Sequence, residues 1–140
     1  MKASLYLDAS VLLRILFREK GDSPDLKSLN DFYSSEIVEV EIFRTLERAR
    51  YTERIDDKEV ATKSQESMRL IHSLNRIPVH SEIIQNARGS FPFSVRALDA
   101  LHVGSAEWLQ NELGHHVQFW THDNRQSQAA MCRRLNVFGL

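Results

Sequence analysis

The chain has 140 residues and a formal net charge of −1. That length suits one domain around one core, and the near-neutral charge excludes a general attraction to nucleic acid or anionic membrane. Arginine outnumbers lysine 13 to 5, so a local phosphate-binding face is still open. The single cysteine, Cys132, excludes an internal disulfide. It reads as a small core residue in a reducing cytosol. No N-terminal targeting pattern and no apolar run long enough for a membrane span are present.

The first element is an apolar run, Ser4-Leu5-Tyr6-Leu7, that stops at Asp8 and reads as a buried strand. Ser10 is the expected N-cap of a helix over 11–17. Ser23-Pro24 predicts a short helix over 23–30, and residues 32–35 a second strand. Val38, Ile42, Leu46 and Ala49 share one face of a helix over 36–50. Asp56-Asp57 opens the next helix, which carries Val60, Met68, Leu70, Ile71 and Leu74. Residues 77–79 read as an edge strand, where Pro78 is tolerated. Ser81 is the expected cap of a helix over 82–88. A strong helix over 96–112 ends at Gly114. Residues 117–121 form a strand, 123–135 the last helix and 136–138 a final strand. Alternating strands and helices predict an α/β fold with a mainly parallel central sheet flanked by helices.

Most of the nineteen acids lie in polar breaks or on solvated helix faces. Asp8 and Asp123 do not, because each follows a strand, and ligands of open α/β sheets bind at the carboxyl ends of strands. Each is also a good helix cap; Asp123 with Gln126 makes a capping-box-like pair. Asp99 shares a helix stripe with Val95, His102, Val103 and Ala106, an apolar setting for a carboxylate. Its structural alternative is a hydrogen bond to a helix N-terminus or to His102. Glu41 reads from pattern alone as a surface acid paired with Arg44. Carboxylates that converge repel one another. With oxygen ligands and no cysteine or paired-histidine pattern, Mg²⁺ or Mn²⁺ is the expected counter-ion. His102 reads as a hydrogen-bonding structural residue, Trp108 and Trp120 as core or interface residues, and His115-His116 as a helix-end pair without a metal role.

Four stretches resemble the PIN domain family, and within it the VapC-type toxin ribonucleases. They are Tyr6-Leu7-Asp8-Ala9-Ser10-Val11-Leu12, Ser35 with Glu41 six residues on, Arg96-Ala97-Leu98-Asp99-Ala100-Leu101-His102, and Trp120-Thr121-His122-Asp123. They occur in order over nearly the whole chain. Gly104 departs from the pattern, standing where the family more often has alanine or a larger apolar residue; close helix packing would account for it.

The resemblance implies a PIN-like three-layer fold and Mg²⁺-dependent endoribonuclease activity. It implies an acidic cluster of Asp8, Glu41, Asp99 and Asp123, and overturns the bland reading of Glu41. Asp8 and Asp99 would bind the metal, with Glu41 and Asp123 completing the set directly or through water. Ser10 and Thr121 would support them. Arg44, Arg48 and Arg125 are candidate phosphate contacts, or else balance the acids. Activated water would cut RNA to leave 5′-phosphate and 3′-hydroxyl ends, with no protein nucleophile. A small antitoxin, a homodimer and a cytoplasmic location are expected from the family. Two competing readings are a catalytically silent PIN binding module and a receiver-like phosphoacceptor domain. The second needs a paired acid near the first strand and a late strand-end lysine, and all five lysines lie before position 64.

Overall fold

The computed structural model describes residues 2–140. Five strands alternate with six helices: β1 (Ser4–Leu7), α1 (Ala9–Leu16), β2 (Asp31–Ser35), α2 (Val38–Tyr51), α3 (Asp57–Ser73), β3 (Asn75–Ile77), α4 (Ser81–Arg88), α5 (Ala97–Leu113), β4 (Gln118–Trp120), α6 (Asn124–Met131) and β5 (Asn136–Phe138). Every strand pair is parallel, in the order β3-β2-β1-β4-β5. Parallel neighbours require crossover connections, and the helices supply them. The expected three-layer α/β arrangement is therefore observed, with the sheet entirely parallel.

The two-residue period of a strand divides the core. Leu5, Leu7, Phe32 and Trp120 join Val11, Leu12, Ile42, Leu46 and Ile71 from α1, α2 and α3. Tyr6, Ile77 and Phe119 join Ile83, Val103, Ala106 and Ala130 from α4, α5 and α6. β1 is buried along its whole length, as expected for a central strand covered on both faces. The chain builds outward from β1 through β2 to β3, then returns to the other side of β1 with β4. The strand order thus reverses between β1 and β4, and a crevice at such a reversal is where this architecture binds ligands.

Gly104 sits where α5 crosses α4. A methyl group there would stand 3.0 Å from the Ala87 backbone nitrogen and 3.1 Å from the Ile83 carbonyl oxygen. The close packing anticipated for this position is present. Arg133 fixes the segment entering α5. Its guanidinium donates to Glu107 (2.6 Å) and to the carbonyls of Asn86 (3.1 Å) and Ser90 (3.2 Å), and lies over the Phe91 ring.

Several local expectations are corrected. Residues 23–30 form no helix. Asp25 instead closes a turn, its carboxylate accepting from the Lys27 N–H at 2.9 Å and its carbonyl from Ser28 at 3.1 Å. Leu29 is 85% exposed, and of the segment's two leucines only Leu26 packs against the core; a single apolar contact is too little to hold a short helix. Asp8, not Ser10, caps α1, and His80, not Ser81, occupies the cap position of α4 without a side-chain bond. Asp31 joins the second strand, and the edge strand is Asn75–Ile77, so Pro78 falls just outside it. α6 stops at Met131, and Cys132 at its end is exposed rather than core. Trp120 is buried, whereas Trp108 is half-buried with its ring against His80. Among the described residues, no helix is long and apolar enough to cross a membrane.

Candidate active site

Asp8 is held by the register of the sheet. Leu7 pairs with Trp120, so Asp8 and Thr121 are the next residues on adjacent strand ends. The Asp8 N–H donates to the Trp120 carbonyl at 3.1 Å, and the Thr121 N–H to that of Phe138 at 3.0 Å. The Thr121 hydroxyl donates to Asp8 Oδ2 at 2.5 Å. The Ser10 hydroxyl donates to Asp8 Oδ1 at 2.6 Å, and the Val11 N–H reaches the same oxygen at 3.3 Å. Ser10 is thus a first-turn residue of α1 whose hydroxyl turns back to the cap. Its oxygen also accepts from the His122 N–H at 2.9 Å, while Thr121 Oγ1 accepts from the Asp123 N–H at 3.1 Å. These bonds tie the start of α1 to the start of α6 across the strand ends.

Asp8 is 4% exposed. Among the described residues it forms no ion pair. Burial pushes its carboxyl pKa up; His102 and the donors Ser10, Thr121 and Val11 oppose that without cancelling it. Asp99, in the first turn of α5, is half-buried. Its pKa is raised by burial first and by Asp123 next; His102 opposes, and Asp8 and Glu41 add to the rise. The four acids nominated from sequence, drawn from four different elements, therefore act on one another electrostatically.

Asp123 is exposed and caps α6, Oδ1 accepting from the N–H groups of Arg125 (2.8 Å) and Gln126 (3.4 Å). Glu41 lies in the first turn of α2, where the helix N-terminus favours an acid. Its partner is not Arg44 but His102, whose Nε2 lies 2.6 Å from Glu41 Oε1. Arg44 bonds Glu47 at 2.7 Å and lines a groove between α2 and α3, with Phe43, Tyr51 and Val60, that contains none of the four acids. Arg48 and Arg125 are exposed. Neither pairs with an acid among the described residues.

His102 is the residue whose place sequence reasoning did not find. The one partner considered for it from sequence was Asp99, one turn away on the same helix. Instead it is 1% exposed, with Nδ1 2.7 Å from the Tyr6 hydroxyl and Nε2 on Glu41. Burial pulls its pKa down, but the Glu41 bond and the charges of Glu41, Asp8 and Asp99 outweigh this and raise it. Burial also raises the Tyr6 pKa well above its ordinary value, so Tyr6 keeps its proton. The available signal was a polar ring on a helical turn that is otherwise apolar or small.

The donor chemistry can be tested against a metal. All four nominated acids offer oxygen, and a desolvated Asp8 without a cationic partner calls for positive charge. Among the described residues, no three histidine, cysteine, aspartate or glutamate side chains form a ready-made cage for an ion. The oxygen-only donor chemistry of the four acids suits Mg²⁺ or Mn²⁺, of which Mg²⁺ keeps several waters and takes only one or two carboxylates.

Comparison with known proteins bears on the same residues. Ribonuclease VapC46 of Mycobacterium tuberculosis is 29% identical over 131 residues, covering 91% of each chain. The crystal structure of VapBC2 from Rickettsia felis, bound to a DNA fragment from their promoter, shares the fold with a TM-score of 0.63. It is 12% identical and covers 96% of each chain. The PIN domain model matches residues 5–130, which include all four acids. The chain belongs to the PIN domain family.

Proposed function

We propose that this chain is a metal-dependent endoribonuclease of the VapC type, a single domain that acts on RNA in the cytoplasm as the toxin of a toxin–antitoxin pair. The observation that carries this reading is Asp8: a buried carboxylate without a cation at the strand-order reversal, raised in pKa and within electrostatic reach of Asp99. The likeness to a ribonuclease named VapC46 supports the activity. The likeness in fold to a VapBC structure supports a small antitoxin as partner.

Asp8 and Asp99 would hold the metal, with Glu41 and Asp123 completing the set directly or through water. The chemistry supplied by a divalent ion bound there is acidification of a water and neutralisation of charge on the scissile phosphate. The chain's own work is orientation. Thr121 and Ser10 fix the Asp8 carboxylate from both sides. The α6 cap holds Asp123 by Oδ1 and leaves Oδ2 without a protein hydrogen bond among the described residues. Arg48 and Arg125, the latter two residues from Asp123, are the exposed candidate phosphate contacts, since Arg44 is engaged by Glu47. A homodimer is part of the same reading, and the exposed Val40 and Tyr51 of α2 are candidate contacts for it.

The test is cleavage of a labelled RNA by the purified protein. Cleavage with Mg²⁺, its loss in EDTA, and loss in Asp8→Asn and Asp99→Asn are expected, with 5′-phosphate and 3′-hydroxyl ends. Undiminished cleavage by both variants refutes the mechanism. A wild-type protein that binds RNA without cutting it is the silent binding module instead.

A further inference from the structure

His102 joins two layers of the molecule that the sheet otherwise separates. It stands on α5, whose core lies on one face of the sheet with Tyr6. Glu41 stands on α2, whose core lies on the other face with Leu5 and Leu7. The ring meets both: Nδ1 is 2.7 Å from the Tyr6 hydroxyl and Nε2 is 2.6 Å from Glu41 Oε1. A carboxylate only accepts hydrogen bonds, so this partner assigns the proton to Nε2. With both nitrogens engaged and 1% exposure, the ring has no freedom to turn. Glu41 is held differently from the other acids. Its side chain is 20% exposed, and among the described residues Oε2 has no hydrogen-bond partner. A long side chain with one free oxygen would otherwise sample several rotamers.

From this geometry we infer that His102 is a positioning residue. Anchored by Tyr6, it fixes Oε1 of Glu41 so that Oε2 is presented to the ion and its waters. The inference rests on the metal-dependent reading above and adds a residue to it. The physical requirement is that of a hard cation that demands near-octahedral geometry. A mobile carboxylate loses affinity by the entropy of being ordered on each binding event, and a pre-set one does not. Outer partners that orient a ligand commonly matter by about 10–100-fold in metal affinity. Tyr6 is the far anchor: its phenol stays protonated and stacks on Phe119 at a ring separation of 5.4 Å, so the chain Tyr6–His102–Glu41 is braced in the core.

The experiment measures Mn²⁺ affinity of the full chain directly, by electron paramagnetic resonance of free Mn²⁺, alongside cleavage as a function of Mg²⁺ concentration. His102→Leu is expected to weaken Mn²⁺ binding by about tenfold or more. The Mg²⁺ concentration for half-maximal cleavage should rise in parallel, with the rate at saturating Mg²⁺ largely recovered. His102→Gln, whose amide nitrogen can replace Nε2 as donor to Glu41, is expected to restore a large part of that loss. In a Glu41→Gln background His102→Leu is expected to weaken binding no further, because the group it positions is already altered. Equal Mn²⁺ affinity of wild type and His102→Leu overturns the inference. So does an additive effect in the Glu41→Gln background. If His102→Leu fails to fold, Tyr6→Phe decides: wild-type Mn²⁺ affinity in that variant overturns the inference, and a loss supports it. Failure of the nuclease reading looks different, since wild type itself would then neither bind Mn²⁺ nor cut RNA.

Discussion

Replacing Asp8 with asparagine separates two effects that usually oppose each other in one residue. The wild-type carboxylate is 4% exposed, has no ion-pair partner among the described residues and is raised in pKa by burial, so in metal-free protein its charge is held against its preference. The substitution removes the charge and keeps the shape, and the hydroxyls of Ser10 and Thr121 can rotate to donate to the new amide's oxygen or accept from its nitrogen. In EDTA the variant is expected to melt above wild type. With metal the order reverses. An ion present at 100 times its dissociation constant stabilises the native state by about 2.7 kcal/mol. For 140 residues, an unfolding entropy of about 2.1 cal/mol/K per residue gives roughly 0.3 kcal/mol per kelvin, hence about a 9 °C rise in Tm for wild type. Asp8→Asn is expected to show little of that rise. Differential scanning fluorimetry of both proteins, with EDTA and across a Mg²⁺ and Mn²⁺ series, measures all four corners. A variant that melts below wild type in EDTA, or that gains as much from the metal, refutes the assignment of Asp8 as an unpaired ligand.

Three further outcomes are expected. Gln126 is 1% exposed and neither polar atom of its side-chain amide has a partner among the described residues, so Gln126→Leu is expected to raise stability by about 1–3 kcal/mol; a lower urea midpoint would mean that the amide is bonded after all, through buried water. Gly104→Ala gains about 1 kcal/mol of helix propensity, but the new methyl meets the α4 backbone at 3.0 Å, and overpacking of this kind costs roughly 1–3 kcal/mol. The variant is expected to unfold at lower urea, and a higher midpoint would show that α4 yields easily. Asp8, Asp99, Glu107 and His102 all have raised pKa values in the fold, so the native state holds these protons more tightly than the unfolded chain. Their contribution to stability is complete below the ordinary values and is lost as pH rises through the raised ones. Metal-free protein should therefore melt lower at about pH 8 than at about pH 5, and an unchanged or rising Tm would refute this.

What could be read from the sequence follows the range of each interaction. β1 and α5 were legible because apolar periodicity is local and both elements are buried. Asp8 and Asp123 were legible because an acid after an apolar strand is a local inconsistency, and Asp99 because it interrupts a small, apolar stripe. Glu41 was not, since its partner His102 lies 61 residues away; only resemblance brought it forward. The Ser23-Pro24 signal is a sound helix start, yet it leads into a segment in which Leu26 is the only leucine packed against the core. Ser10 was misplaced because two good caps stand two residues apart, and the choice between them is made by Thr121, 113 residues from Asp8.

That choice bears on the chemistry, because capping and metal binding compete for the same oxygens. An ionised carboxylate has about four acceptor positions. On Asp8, Oδ1 takes two donors, Ser10 and Val11, and Oδ2 takes one, Thr121. Oδ1 is filled and Oδ2 has one position left. Had Ser10 capped α1, Asp8 would have been free to turn, and more acceptor positions would have been open to water. With Asp8 as the cap, the residue is locked to the sheet and the helix at once, and its remaining capacity is a single bond from Oδ2. One bond from Asp8 is enough for a carboxylate that serves a largely hydrated ion. The arrangement that makes Asp8 a structural cap is therefore compatible with the metal role proposed for it.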